Sequence, residues 1–200
     1  MTSPSSTSGL ATPKRYTLGQ YLEREERSVH KHEFFNGLIE RIPGAKYHHN
    51  KIATNVVVAL DKQVSALSQH YEVINSDQKI YIAVENVVLY PDALIICEKP
   101  EFWNGREDLI VNPLVIVEVV SKNTRSYDRG DKFLLYQMIP SFREYILIEQ
   151  EKPWVEYWFR QDQETWKTAV CQDLNGAVQL RAVNIVLQLS EVYRHLSFDK

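Results

Sequence analysis

The stretch Pro113-Leu-Val-Ile-Val-Glu118-Val-Val-Ser-Lys122 decides how the chain is read. Its near-unbroken run of β-branched residues is the signature of a central strand covered on both faces. Glu118 lies in the middle of that run, where an unpaired carboxylate would cost several kcal/mol or shift its pKa strongly, so a metal ion, a lysine or a cluster of donors must compensate it. A strand period of two puts Val120 and Lys122 on the side that Glu118 faces, which makes Lys122 one candidate partner.

The preceding apolar run, Leu89-Tyr-Pro-Asp92-Ala-Leu-Ile-Ile-Cys97, carries a second acid where the chain bends into the sheet. Pro91 removes a ladder donor and marks an edge, a bulge or a strand start. Asp92 also has a ready explanation as a turn residue.

Upstream, Thr17 and Gln20 fit a capping box for a short helix, followed by the charged stretch Glu23 to Arg27, which reads as a solvated face. Asn36-Gly37 sits between two apolar runs and signals a type I′ hairpin, with Glu33 near its open end. Apolar residues from about His49 to Gln69 repeat every three or four positions, predicting a long amphipathic helix whose first turns present His49 and Asn55 on one face. His48 and His49 also read as ordinary surface or capping histidines.

Short β segments are expected over 71–75, 78–84 and 87–90, with Glu85-Asn86 as a turn, and 98–112 reads as a surface loop. A helix opening at Tyr127-Asp128-Arg129 and stopping at Pro140 carries Lys132, with Asp128 complementing its dipole. The last third reads as an antiparallel meander, with strands at 143–149, 154–160, 165–171 and 178–187 and turns that include Asn175-Gly176, closed by a helix over 189–196.

Two hundred residues, 44% of them apolar, suffice for one sizeable core, expected as a single domain over 15–200 behind a flexible tail over 1–14. The tail has neither a basic n-region nor an apolar h-region, so no signal peptide and no membrane anchor is expected. Cys97 and Cys171 lack metal or redox spacing and read as core residues of a reducing, cytoplasmic compartment. A net charge of −3 gives no general attraction to polyanions, so any nucleic-acid contact must be local. The aromatic segment around Trp154, Tyr157 and Trp158 is expected to supply the face of a homodimer.

Asp92, Glu118 and the earlier Glu33 form a hard, oxygen-only ligand set that suits Mg2+ or Mn2+ better than zinc, for which only His49 is on offer. Such an ion activates water against a phosphodiester, with a lysine beside it meeting the developing charge.

The motifs Glu33-Phe-Phe-Asn-Gly37, His49-Asn-Lys-Ile-Ala-Thr-Asn55, Tyr90-Pro-Asp92, Val117-Glu-Val-Val-Ser-Lys122 and Asp128-Arg-Gly-Asp-Lys132 resemble, in order, those of the Uma2 family of the PD-(D/E)XK nuclease superfamily. The resemblance runs from about Tyr16 to Tyr157. It implies an α/β fold with a restriction-endonuclease-like core, a mixed β-sheet flanked by helices. It implies Asp92 and Glu118 as metal ligands, Glu33 as an additional acid, and DNA as the substrate of a divalent-metal-dependent endonuclease. The superfamily pattern wants its lysine two residues after the second acid, where Val120 stands. Lys122 and Lys132 are the two candidates, Lys132 slightly favoured. A catalytically silent nucleic-acid- or protein-binding module on the same fold is the alternative, supported by the acidic charge and the displaced lysine.

Overall fold

The computed structural model describes residues 13–198, so all but two residues of the expected 1–14 tail lie outside the described part. The chain folds as mixed α/β, with two large mixed sheets, flanking helices and a small C-terminal hairpin sheet.

Thr17 caps α1 (Leu18–Glu25) in the reciprocal arrangement expected with Gln20. Asn36 and Gly37, at φ 43° and 101°, join β1 (His32–Phe35) to β2 (Leu38–Arg41) in register. Both residues adopt the positive φ that a type I′ hairpin requires. A long helix, α2 (Tyr47–Val64), follows and ends five residues earlier than the periodicity predicts. It buries Ile52, Val56, Ala59 and Leu60 against the sheet that contains Glu118.

The chain then alternates between sheets. β3 (Tyr71–Asn75) and β6 (Ala93–Cys97) belong to the sheet of order β11-β10-β9-β8-β6-β3, whereas β4 (Lys79–Ile82) and β5 (Val87–Leu89) belong to the sheet of order β2-β1-β5-β4-β7. Pro91 stands where the chain leaves β5 for β6 and so changes sheet. Its missing N–H therefore costs no ladder bond. The expected loop over 98–112 contains β7 (Leu109–Ile110), which pairs parallel to β4, and Trp103 packs edge-on against Tyr81.

Strand β8 (Val115–Val120) is fully buried, as its composition requires, between antiparallel β6 and parallel β9 (Glu144–Glu149). Val115, Val117 and Val119 pack toward α2, and Ile116 and Val120 pack toward the second sheet and the helix after β8. That helix is two pieces, α3 (Arg125–Arg129) and α4 (Asp131–Gln137), broken at Gly130. A Cβ at Gly130 would stand 3.0 Å from the Ser126 carbonyl oxygen, so a side chain there would crowd the break.

β9, β10 (Val155–Arg160) and β11 (Trp166–Cys171) form the expected meander, but the single strand expected over 178–187 is a hairpin of β12 (Ala177–Leu180) and β13 (Ile185–Gln188) in a sheet of its own. Asn184 takes φ 54° at that turn. Asn175-Gly176 is not a hairpin turn either: it links β11 to β12 across two sheets, and Asp173 accepts both backbone N–H groups. The closing helix, α5 (Leu189–Val192), is one turn long.

Three further expectations change. Glu25, in the charged stretch read as solvated, is buried and accepts from the His32 backbone, the His32 ring and the Tyr90 hydroxyl. Of the aromatic segment read as a partner face, Tyr157 is buried and donates to Glu144, whereas Trp154 and Trp158 are half-buried, Trp158 packing on Phe133. Cys97 and Cys171 are free thiols and only half-buried rather than core residues.

Candidate active site

Asp92 is fastened beside Glu118 by the two residues that flank that glutamate. Its backbone N–H donates to the Val117 carbonyl at 3.1 Å, and its Oδ2 accepts from the Val119 N–H at 2.7 Å. The bend at Pro91-Asp92 that loses regular pairing thus regains it through a side chain. Asp92 Oδ2 also lies 3.2 Å from Nε2 of His49, which the first turn of α2 carries to the site.

On the other face of β8, α4 delivers Lys132. Its Nζ stands 2.9 Å from Glu118 Oε1 and 3.3 Å from Glu33 Oε1, and donates to the Tyr90 carbonyl at 3.4 Å. Tyr136, one helical turn further, donates to the same Glu118 oxygen at 2.8 Å. Glu33 is held in turn by the Tyr90 N–H. Glu118 is 4% exposed and Lys132 6%, so the pair is removed from water and each partner depends on the other.

The electrostatics follow from burial and crowding. Burial, reinforced by Asp92 and Asp128, pushes the Glu118 carboxyl well above the usual carboxylate range, although Lys132 opposes the shift. Burial alone would lower the Lys132 ammonium, but Glu118, Glu33 and Asp128 hold it well above the usual lysine value. His49 shows the same contest: burial lowers it, yet the hydrogen bond and charge of Asp92 leave it raised. Asp128 is raised by burial, with Lys132 working against the shift.

The structure therefore brings together Glu33, His49, Asp92, Glu118 and Lys132 from five separate elements or their edges. It does not bring Asn55 or Lys122. Asn55 is buried further along α2, where its Nδ2 donates to the Val192 and Arg194 carbonyls and ties down the chain's C-terminal turn. Lys122 is exposed, because β8 ends at Val120 and the chain turns at Ser121 before strand alternation can carry the lysine back to the site.

Two residues join the group without having been singled out for it. Asp128 is buried and close enough to raise Glu118. Its spacing of four residues to Lys132 on helical sequence was the available signal. Tyr127 has a buried hydroxyl with no hydrogen-bond partner, and its phenol is raised by burial and then by Glu33. Nothing in the sequence around Tyr127 distinguishes it from a core tyrosine.

Glu33, Asp92, Glu118 and Asp128 set four carboxyl groups against the Lys132 ammonium and the His49 ring. That surplus of hard oxygen donors fits a divalent cation. Among the described residues, no three His, Cys, Asp or Glu side chains form a ready-made ligand group. An ion would accordingly rest on two carboxylates with waters completing its shell, the usual arrangement for Mg2+.

Three comparisons with known proteins bear on the family and the fold. The profile of the Uma2 family, described as "Putative restriction endonuclease", matches residues 18–190. Two Synechocystis sp. proteins, sll1609 and slr1290, are similar over nearly the whole chain. The first is 32% identical over 88% of this chain and 98% of its own length, the second 28% identical over 90% and 92%. A crystal structure from Anabaena variabilis, titled "a putative nuclease belonging to DUF820", superposes with a TM-score of 0.69 at 15% identity, covering 88% of this chain and 97% of that one. At that identity the superposition speaks to fold alone. The order and spacing of the motifs, the architecture that carries them and the extent of the profile match together make the chain a member of the Uma2 family.

Proposed function

We propose that this chain is a DNA endonuclease that hydrolyses phosphodiester bonds with Mg2+ or Mn2+. The observation that carries the proposal is the buried Lys132 ammonium at 2.9 Å from Glu118, with Asp92 fastened to the residues on either side of that glutamate. Asp92 and Glu118 are the residues that would hold the ion. When bound, it would lower the pKa of a coordinated water and offset charge on the leaving oxygen.

The remaining work falls to the chain. Lys132, kept protonated by Glu118 and Glu33, is a donor for a non-bridging oxygen as negative charge builds in the transition state. Glu33 holds that ammonium in place from a second direction. His49 is a positioning residue: its ring orients Asp92 through the 3.2 Å contact with Oδ2. DNA as substrate, a cytoplasmic setting and a two-fold dimer as the ordinary assembly belong to the same reading. No helix among the described residues is long and apolar enough to cross a membrane.

One observation favours the alternative, a silent binding module: Lys132 and Tyr136 already satisfy Glu118 Oε1 without any ion. Thermal unfolding under Mn2+ separates the two. A true site stabilises the protein by RT ln(1 + [L]/Kd), about 2.7 kcal/mol at a hundredfold excess over Kd, and Asp92→Asn abolishes the gain. A wild-type melting temperature indifferent to Mn2+ and Mg2+ would favour the silent module.

A further inference from the structure

A second site stands on different residues. Past the C-terminal end of α4, the segment Gln137 to Arg143 and the end of β10 border an open cavity of about 460 Å³ lined by Met138, Pro140, Arg143, Arg160 and Asp162. Glu118 pairs three positions further along the sheet than Glu144, the neighbour of Arg143, so the cavity lies about 10 Å along the strands from the acid site.

Arg143 and Arg160 both line this cavity, and neither forms an ion pair there among the described residues. Arg106, Arg125 and Arg129 each have a carboxylate partner, in Asp108, Glu149 and Glu156, whereas neither Arg143 nor Arg160 lies within 4.0 Å of one among the described residues. Asp162 also lines the cavity as a carboxylate, its Oδ1 bonded to the Glu164 and Thr165 N–H groups of its own turn and neither guanidinium within 4.0 Å of it.

Both guanidiniums are held in place by backbone oxygens. Arg160 donates to the Gln137 carbonyl at 2.6 Å and lies over the Trp166 ring at 5.0 Å. Arg143 donates to the Pro140 and Phe142 carbonyls at 2.6 and 3.0 Å. An arginine carries five N–H donors, so most remain available, and the buried Nε of Arg160 has no partner. Burial, with Arg143 adding to it, lowers the Arg160 guanidinium from its usual value, as expected of a cation crowded by another.

We propose that the Arg143–Arg160 cavity binds a phosphate group. Two fixed planar forks with unused donors match the tetrahedral oxygens of phosphate bidentately, and such bonds are roughly twice as strong as neutral ones. The volume is within the range of small-molecule sites, so the group arrives either on a small phosphorylated molecule or as a backbone phosphate of nucleic acid remote from the scissile bond. The site stands whether or not the acid cluster cuts DNA.

The test uses inorganic phosphate against sodium chloride at equal ionic strength, without divalent metal, and reads the melting temperature of wild type, Arg143→Gln, Arg143→Lys and Arg160→Gln. At tenfold over Kd the wild type gains about 3–6 °C, Arg143→Gln loses that gain and Arg143→Lys keeps part of it. Because the Arg143 side chain is exposed, its variants fold even if Arg160→Gln does not. An equal gain in all proteins is general salt stabilisation and overturns the proposal. Metal-free binding to a labelled duplex then identifies the source. A fall of about 1 in the salt slope for Arg143→Gln assigns the cavity to a backbone phosphate. An unchanged slope, with the phosphate gain lost, assigns it to a small phosphorylated molecule.

Discussion

Replacing Lys132 by Met removes the charge and keeps most of the aliphatic stem, so the variant isolates what the ammonium does inside the fold. Lys132 faces Glu118 at 2.9 Å and Glu33 at 3.3 Å, and Glu118 and Lys132 are both more than nine-tenths buried. Breaking one side of such a pair leaves an uncompensated buried charge, a loss of about 3–5 kcal/mol. For a chain of this size that lowers the melting temperature by roughly 6 to 20 °C.

The loss is relieved by whatever removes the orphaned charge. Glu118→Gln in the Lys132→Met background recovers stability, with a coupling energy on the order of 1–3 kcal/mol in the double-mutant cycle. Lowering the pH does the same, because Glu118 takes up a proton more readily once Lys132 no longer opposes it. Urea unfolding at pH 7 and pH 5, with the slope of the transition unchanged, measures both effects. A Lys132→Met cost below about 1 kcal/mol, additive with Glu118→Gln, would mean that the two groups are solvated and the buried pair is wrong.

Asp128 is a carboxyl raised above its usual value, so the folded state binds more protons than the unfolded one between the usual value near 3.9 and the raised one. Its contribution to stability is therefore present at low pH and fades as pH rises through the folded value; Asp128→Asn flattens that dependence in pH-resolved unfolding. Asn55→Ala removes two hydrogen bonds to the C-terminal turn, costs about 1–2 kcal/mol and speeds amide exchange over residues 189–196, while leaving the acid cluster intact. Glu25→Ala strands the His32 N–H and the Tyr90 hydroxyl and costs about 1–3 kcal/mol, an effect no solvated glutamate would give.

What could be read from the chain before folding was what local chemistry decides. The Thr17 cap, the Asn36-Gly37 hairpin and the β8 run depend on near neighbours, and each forms as its residues dictate. Glu118 stood out because a carboxylate in a strand buried on both faces has no local remedy. The division into two sheets did not show, because β5 and β6 are equally apolar on either side of Pro91 and only tertiary packing assigns them to different sheets. The β12–β13 turn was hidden by Val183, an apolar residue within the turn that the core buries. Lys122 followed from strand alternation, which holds only while the strand continues, and β8 stops two residues short of it. Lys132 and Asp128 look like an ordinary exposed helical pair, and only the packing of α3 and α4 against the sheet buries them.

Hydrolysis of DNA is proposed for the Asp92–Glu118–Lys132 group. Nicking of supercoiled plasmid in Mn2+, with wild type and Glu118→Gln purified in parallel and both confirmed folded, tests it most directly. Wild type is expected to nick with metal and not without it, and Glu118→Gln to lose at least about a hundredfold, the size expected when an electrostatic element of a site is removed. Equal nicking by both proteins would trace the activity to a contaminant and contradict the assignment.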